Sequence, residues 1–119
     1  MPTAVEVQSR REGNIGILET EGYINGVEAE PIADAAQVLV DDGVKYLVIN
    51  LEKSRVANSM GISILIEVIE QMRELGGKAA FCCVVPILEK TFQIMGLLKV
   101  ADIYEKEAQA IEALAELGS

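Results

Sequence analysis

Few side chains in this sequence could do chemistry. There is no histidine among the 119 residues, which excludes histidine-based catalysis and histidine metal ligation. The two cysteines, Cys82 and Cys83, are adjacent. Neighbours on a strand point to opposite faces, so a bond between them would strain the backbone. They read as two small core residues of a reduced protein, with no activating base and none of the spaced pairing of a zinc site. An enzyme working through Cys82 or Cys83 is the outlying alternative. The carboxylates fall on helix faces and loops, the pattern of a solvated surface. Gly13, Gly16, Gly22 and Gly26 are scattered over a hairpin and do not open a helix after a strand, so there is no glycine-rich phosphate loop. Neither catalytic residues nor a metal or cofactor site emerges. What remains is Ser59, preceded by Asn58 and followed by Met60 and Gly61.

Two elements must position Ser59. Residues 46–51, Tyr-Leu-Val-Ile-Asn-Leu, form a nearly unbroken apolar run, which suits a strand buried on both faces. From Ile62 the period changes to that of a helix. Leu65, Val68, Ile69, Met72 and Leu75 share one face, and Gly76-Gly77 supplies the stop. Asn58 and Ser59 therefore sit where a buried strand hands over to a helix. The first-turn amides there are unpaired and carry partial positive charge. A hydroxyl in that place is either a cap, worth about 1 kcal/mol over alanine, or a well-placed phosphate acceptor. Ser63 is a second hydroxyl one turn on, inside the helix. Met60 reads equally well as an exposed apolar anchor or as a residue packed on the sheet.

The rest of the chain alternates strands and helices. Val5, Val7 and Ser9 alternate with polar neighbours as a half-exposed strand. Residues 11–14 are turn chemistry, and residues 15–21 return as the second arm of an antiparallel hairpin. A helix with Ile32, Ala35, Ala36, Leu39 and Val40 inward precedes the central strand. Beyond the Ser59 helix come a buried strand over 78–85, a helix opened by Pro86 with Leu88, Phe92 and Met95 inward, and a weak edge strand over 100–104. A last helix follows with Ala108, Ile111, Leu114 and Leu117 inward. The order β-β-α-β-α-β-α-β-α predicts a single α/β domain over 1–119. Its mixed sheet starts as an antiparallel hairpin, continues parallel, and is packed by about four helices, mainly on one side.

Charge and composition narrow the function. Ten basic residues face nineteen acidic ones, a net charge of −9. Such a surface repels phosphate backbones and anionic membranes, so neither nucleic acid nor a membrane is expected as a partner. No apolar run approaches the ~20 residues of a membrane span. Met1-Pro2-Thr3-Ala4 lacks the basic start and apolar block of a signal peptide. A cytoplasmic location follows as the expectation.

Several stretches then point to a family. They are the strand Leu47-Val48-Ile49-Asn50-Leu51, the segment Val56-Ala57-Asn58-Ser59-Met60-Gly61-Ile62, the element Gly22-Tyr23-Ile24-Asn25, and the tail Gly96-Leu97-Leu98-Lys99-Val100 with its closing Ala/Leu helix. Together with the element order they resemble a STAS domain, the sulfate-transporter and anti-sigma-factor-antagonist family, and in particular its free-standing bacterial anti-anti-sigma members. At two places where that family carries Asp this chain has Asn25 and Asn58. The resemblance implies a non-enzymatic regulatory module without cofactor. Its partner would be an anti-sigma factor of serine-kinase type, and Ser59 would be the phosphorylated residue. Asn25, Asn58, Ser59, Met60 and Gly61 would meet the partner, together with the connector 54–57. A weak homodimer is compatible with this reading. The alternative within the family is a STAS scaffold or sensor subunit of a multi-protein or transport complex whose serine is never phosphorylated.

Overall fold

The structure, a computed structural model, describes residues 5–118. The reading of Met1-Pro2-Thr3-Ala4 concerns residues outside that range. The chain runs β1 (Glu6–Glu12), β2 (Ile15–Glu21), a 3-10 turn (Gly26–Ala29), α1 (Glu30–Asp41), β3 (Tyr46–Lys53), α2 (Ser59–Glu74) and β4 (Lys78–Cys82). It continues with α3 (Pro86–Ile94), a second 3-10 turn (Leu97–Lys99), β5 (Asp102–Tyr104) and α4 (Glu107–Leu117). The five strands form one sheet in sequence order. β1 and β2 are antiparallel, and every later pair is parallel. This is the mixed α/β sheet with four helices that the element order predicts.

Strand alternation divides the core into two layers. Leu47, Ile49 and Leu51 of β3, with Ala79 and Phe81 of β4, face α1, α2 and α3. The Phe81 and Phe92 rings meet there, their centroids 5.1 Å apart. Val48, Ala80 and Cys82 face the other way, onto Ala110 and Leu114 of α4. Three helices thus cover one face and one covers the other, so β3 is buried on both sides, as its apolar run demands.

Several details differ from the expectation. β1 extends to Glu12, leaving Gly13 and Asn14 as the hairpin turn, with Gly13 at a positive φ of 63°. Ser9 is exposed on this edge strand instead of facing the core. β4 ends at Cys82 and not near Val85, because Cys83 takes a left-handed φ of 62° that turns the chain out of the sheet. The turn also brings both cysteines against the α4 layer, where strand alternation had placed them on opposite faces. Cys82 is buried, and burial pushes its thiol well above the ordinary value, helped by a hydrogen bond with Cys83. Leu75, Met95, Ala108 and Leu117 lie on the surface. Leu75 and Met95 are helix-terminal caps, where the chain already turns away. In α4 the inward stripe is Ala110 and Leu114. Among the described residues no helix is long and apolar enough to cross a membrane.

Candidate functional site

The hand-over from β3 to α2 is held against the hand-over from β2 to the first 3-10 turn. Gly22 N–H donates to Lys53 C=O (3.1 Å) and Ile24 N–H to Val56 C=O (3.0 Å), while Asn58 N–H donates back to Ile24 C=O (3.1 Å). Ile24 and Ala57 form an isolated parallel bridge. The two connectors therefore run side by side beyond the ends of their strands. Gly61 is buried at this crossing, where a Cβ would run into the Ile24 carbonyl. Only glycine lets the first turn of α2 lie this close to the neighbouring backbone.

Asn58 is the N-cap of α2. Its Oδ1 accepts from Gly61 N–H at 2.8 Å and from Gly26 N–H at 3.1 Å. Its Nδ2 donates to Asn25 Oδ1. One amide side chain thus ties the helix start to the 3-10 turn and to the other asparagine. The cap of α2 is therefore Asn58 and not Ser59. Ser59 is the first helical residue, exposed, and its hydroxyl makes no hydrogen bond among the described residues. The backbone N–H groups of Ser59 and Met60 are also without partners among the described residues, whereas Ile62 N–H bonds to Asn58 C=O (2.9 Å). Unpaired first-turn amides beside a free hydroxyl can hold an added anion with no change of fold.

The structure brings Asn25, Asn58, Ser59, Met60 and Gly61 together. Met60 is 60% exposed, which decides its two readings in favour of the surface. Ser63 Oγ donates to Ser59 C=O (3.0 Å), a back-bond within the helix. Two members of the expected face are missing from the surface, Gly61, which is buried at the crossing, and Ser54. Ser54 is fully buried, its hydroxyl sharing a 2.7 Å hydrogen bond with Thr20, so the connector offers only residues 55–57. Sequence reasoning did not single out Tyr23 and Val27 beside Ser59. Both are exposed on this rim, with Val56 of the expected connector. Exposed apolar side chains in connectors carry no periodic signal.

A second polar cluster lies on the α4 face, and it too was missed. Asn50 is buried within β3. Its Nδ2 donates to Glu107 Oε2 (2.8 Å), and Glu107 is also hydrogen-bonded by Arg10 of β1. Burial works against ionisation of Glu107. The hydrogen bonds from Arg10 and Asn50, with the Arg10 charge, outweigh it and hold the carboxyl below its ordinary value. The visible signal was an asparagine inside the apolar run of β3. Among the described residues no three metal-ligating side chains cluster.

Comparison with known proteins agrees with this geometry. A Bordetella bronchiseptica protein with the provisional name anti-sigma factor antagonist BtrV is 25% identical over 93 residues, 78% of this chain and 80% of the relative. The crystal structure of an anti-sigma factor antagonist from Mycobacterium paratuberculosis superposes with a TM-score of 0.82 at 21% identity, covering 97% of each chain. The phosphorylated form of the Bacillus cell fate determinant SpoIIAA superposes with a TM-score of 0.69 at 17% identity, over 92% of this chain and 98% of that one. The STAS domain family matches residues 6–110, from the first strand into the last helix. With the match spanning the whole sheet and the Ser59 rim, the chain belongs to the STAS domain family.

Proposed function

We propose that this protein is a non-enzymatic regulatory binding module, an anti-sigma factor antagonist. In this reading it binds an anti-sigma factor of serine-kinase type and is switched off by phosphorylation of Ser59. The observation that carries this reading is the division of labour between Asn58 and Ser59. Asn58 does the capping, which leaves the Ser59 hydroxyl exposed beside two unpaired amides. Phosphorylation adds about −1.5 to −2 charges and three strong acceptors. The helix start can hold that group in place, while a partner that had docked on a neutral hydroxyl meets a bulky dianion and loses contact. ATP, magnesium and the base belong to the kinase, and this chain supplies only the acceptor. The names of the Bordetella and Mycobacterium relatives, and the existence of a phosphorylated SpoIIAA, support the reading. A cytoplasmic location goes with it.

A second reading is a STAS scaffold or sensor subunit that is never phosphorylated. It is favoured by the neutral Asn25–Asn58 pair, since the resemblance puts acidic residues in both places. The two are separated by incubating the protein with a serine-kinase anti-sigma factor and ATP and mapping phosphate by mass spectrometry. The switch reading expects phosphate on Ser59, constitutive binding by Ser59→Ala, and loss of binding by Ser59→Asp with unchanged melting. Equal binding by all three proteins, with no phosphate on wild type, leaves the scaffold reading.

A further inference from the structure

The two connectors that build the Ser59 rim run parallel, joined at Ile24–Ala57 and at Asn25–Asn58, and each end of the pair opens on a cleft. At the upstream end Tyr23, Arg55 and Val56, with Gly22 and Lys53, line a cleft of about 430 Å³. At the downstream end Val27, Met60, Glu30 and Glu67 are among the residues lining one of about 260 Å³. The charges lining the two clefts have opposite sign. Only Lys53 and Arg55 are charged in the first, only Glu30 and Glu67 in the second. Lys53 is engaged with Glu19 at 3.1 Å. Arg55 is exposed and, alone among the four arginines, has no ion pair among the described residues. Glu30 and Glu67 are likewise exposed and without an ion pair among those residues. Each cleft also presents exposed apolar side chains, Tyr23 and Val56 at one end and Val27 and Met60 at the other. In sequence Ser59 falls between Val56 of the first cleft and Met60 of the second.

We propose that this rim docks a protein partner with two-ended charge: an acidic group next to an apolar side chain seats at Arg55, and a basic group next to an apolar side chain seats at Glu30 and Glu67. The proposal rests on the reading of the Ser59 rim as the partner surface and adds the chemistry and direction of the partner. A chain with a net charge of −9 attracts any basic protein. That attraction alone gives no orientation. An unpaired arginine at one end and unpaired carboxylates at the other do, because a partner docked in reverse brings like charges together at both ends. The apolar side chains beside each charge supply buried area, and the charges supply register.

The test uses two probes on the whole protein, the acetylated tetrapeptide amides Glu-Phe-Asp-Leu and Lys-Phe-Arg-Leu, followed by backbone amide shifts. The acidic peptide is expected to move Gly22, Tyr23, Arg55 and Val56, and the basic one Gly26, Val27, Met60 and Ile64. Arg55→Glu weakens the acidic peptide by about fivefold or more and spares the basic one, and Glu67→Lys does the converse. Both responses fade at ~1 M salt, where the Debye length is about 3 Å. Both peptides mapping to the same amides, neither binding, or either variant failing to discriminate between them overturns the proposal. Because the titration needs neither kinase nor phosphate, it separates from the switch. A two-ended map with no phosphate on Ser59 refutes the switch alone, and phosphate on Ser59 without the map refutes the docking proposal alone.

Discussion

Replacing Asn58 with alanine removes the cap and the tie between two loops in one step, and the structure allows its cost to be worked out. The Gly61 N–H loses its 2.8 Å acceptor, the loss of an N-cap, about 1 kcal/mol. The N–H of buried Gly26 loses its 3.1 Å acceptor, and a donor left unsatisfied there costs about 1–2 kcal/mol more. Asn25 is half-buried and recovers water at little cost. The expected loss is about 2–3 kcal/mol in total, a fall in melting temperature of roughly 8–12 °C for a chain of this size. Ser59→Ala, one residue along, removes a hydroxyl that bonds nothing among the described residues and should stay within about 0.5 kcal/mol of wild type. Asn58→Asp keeps the cap acceptor and adds a favourable charge at the helix start, while Asn25 must turn its amide to donate; the balance stays within about 1 kcal/mol. Urea unfolding followed by far-ultraviolet circular dichroism measures all three, with an unchanged m-value confirming a common native state. If Ser59→Ala costs as much as Asn58→Ala, or Asn58→Ala costs less than about 0.5 kcal/mol, the assignment of the cap is wrong and the argument that Ser59 is free goes with it.

Gly61→Ala drives a Cβ into the Ile24 carbonyl, so α2 must shift on the sheet. A loss of about 2–3 kcal/mol is expected by the same urea assay, and a neutral result would show that the crossing is looser than described. Glu107 is held below its ordinary carboxyl value when folded, so its contribution to stability is complete above the unfolded pKa of about 4.3 and is lost as pH falls through the folded one. Glu107→Gln should therefore flatten the acid limb of a stability–pH curve while changing little of its shape above pH ~6, and an unaltered acid limb refutes the link. For the cysteines, a maleimide should label the half-buried Cys83 before the buried Cys82 in native protein, with both labelled fast only after denaturation; rapid native labelling of Cys82 would reopen a thiol-based activity.

The β3–α2 unit was legible because its pattern is unambiguous: an apolar run of six residues, then a switch to helical period at Ile62. The end of β4 was not, because nothing in a cysteine side chain favours the left-handed backbone that Cys83 adopts. α4 defeated the stripe argument for another reason. It carries Ala108 and Ala115 on one face and Ala110 and Ala113 on the opposite one, so the period does not single out Ala110 and Leu114. At the site, asparagine and serine are near-equal caps, and residue type cannot rank them. What decides is the Gly26 N–H, thirty-two positions away in sequence, which sits within reach of Asn58 Oδ1. The Arg10–Glu107–Asn50 cluster is invisible in the sequence for the same reason, since its ends are separated by nearly the whole chain.

The asparagine pair gives the rim a property that two acids would not. Asn58 must offer an oxygen to two backbone donors and a proton to Asn25, and an amide does both while staying neutral. Two carboxylates in this contact would be like charges side by side, stable only if one took a proton or a cation stood between them. The rim is therefore shaped by neutral hydrogen bonds between its two clefts, which are lined by Lys53 and Arg55 on one side and by Glu30 and Glu67 on the other. On the proposed reading, a phosphate on Ser59 changes that balance most at the cationic end. The dianion would offset the positive charge at that end and repel an acidic group of the partner, so the surface would lose its two-ended character. The Asn58 amide stays neutral beside it, the cap survives, and the fold has no reason to change. On that reading phosphorylation would act by removing one sign of charge from the surface, with the cap on Asn58 left intact beside the proposed acceptor Ser59.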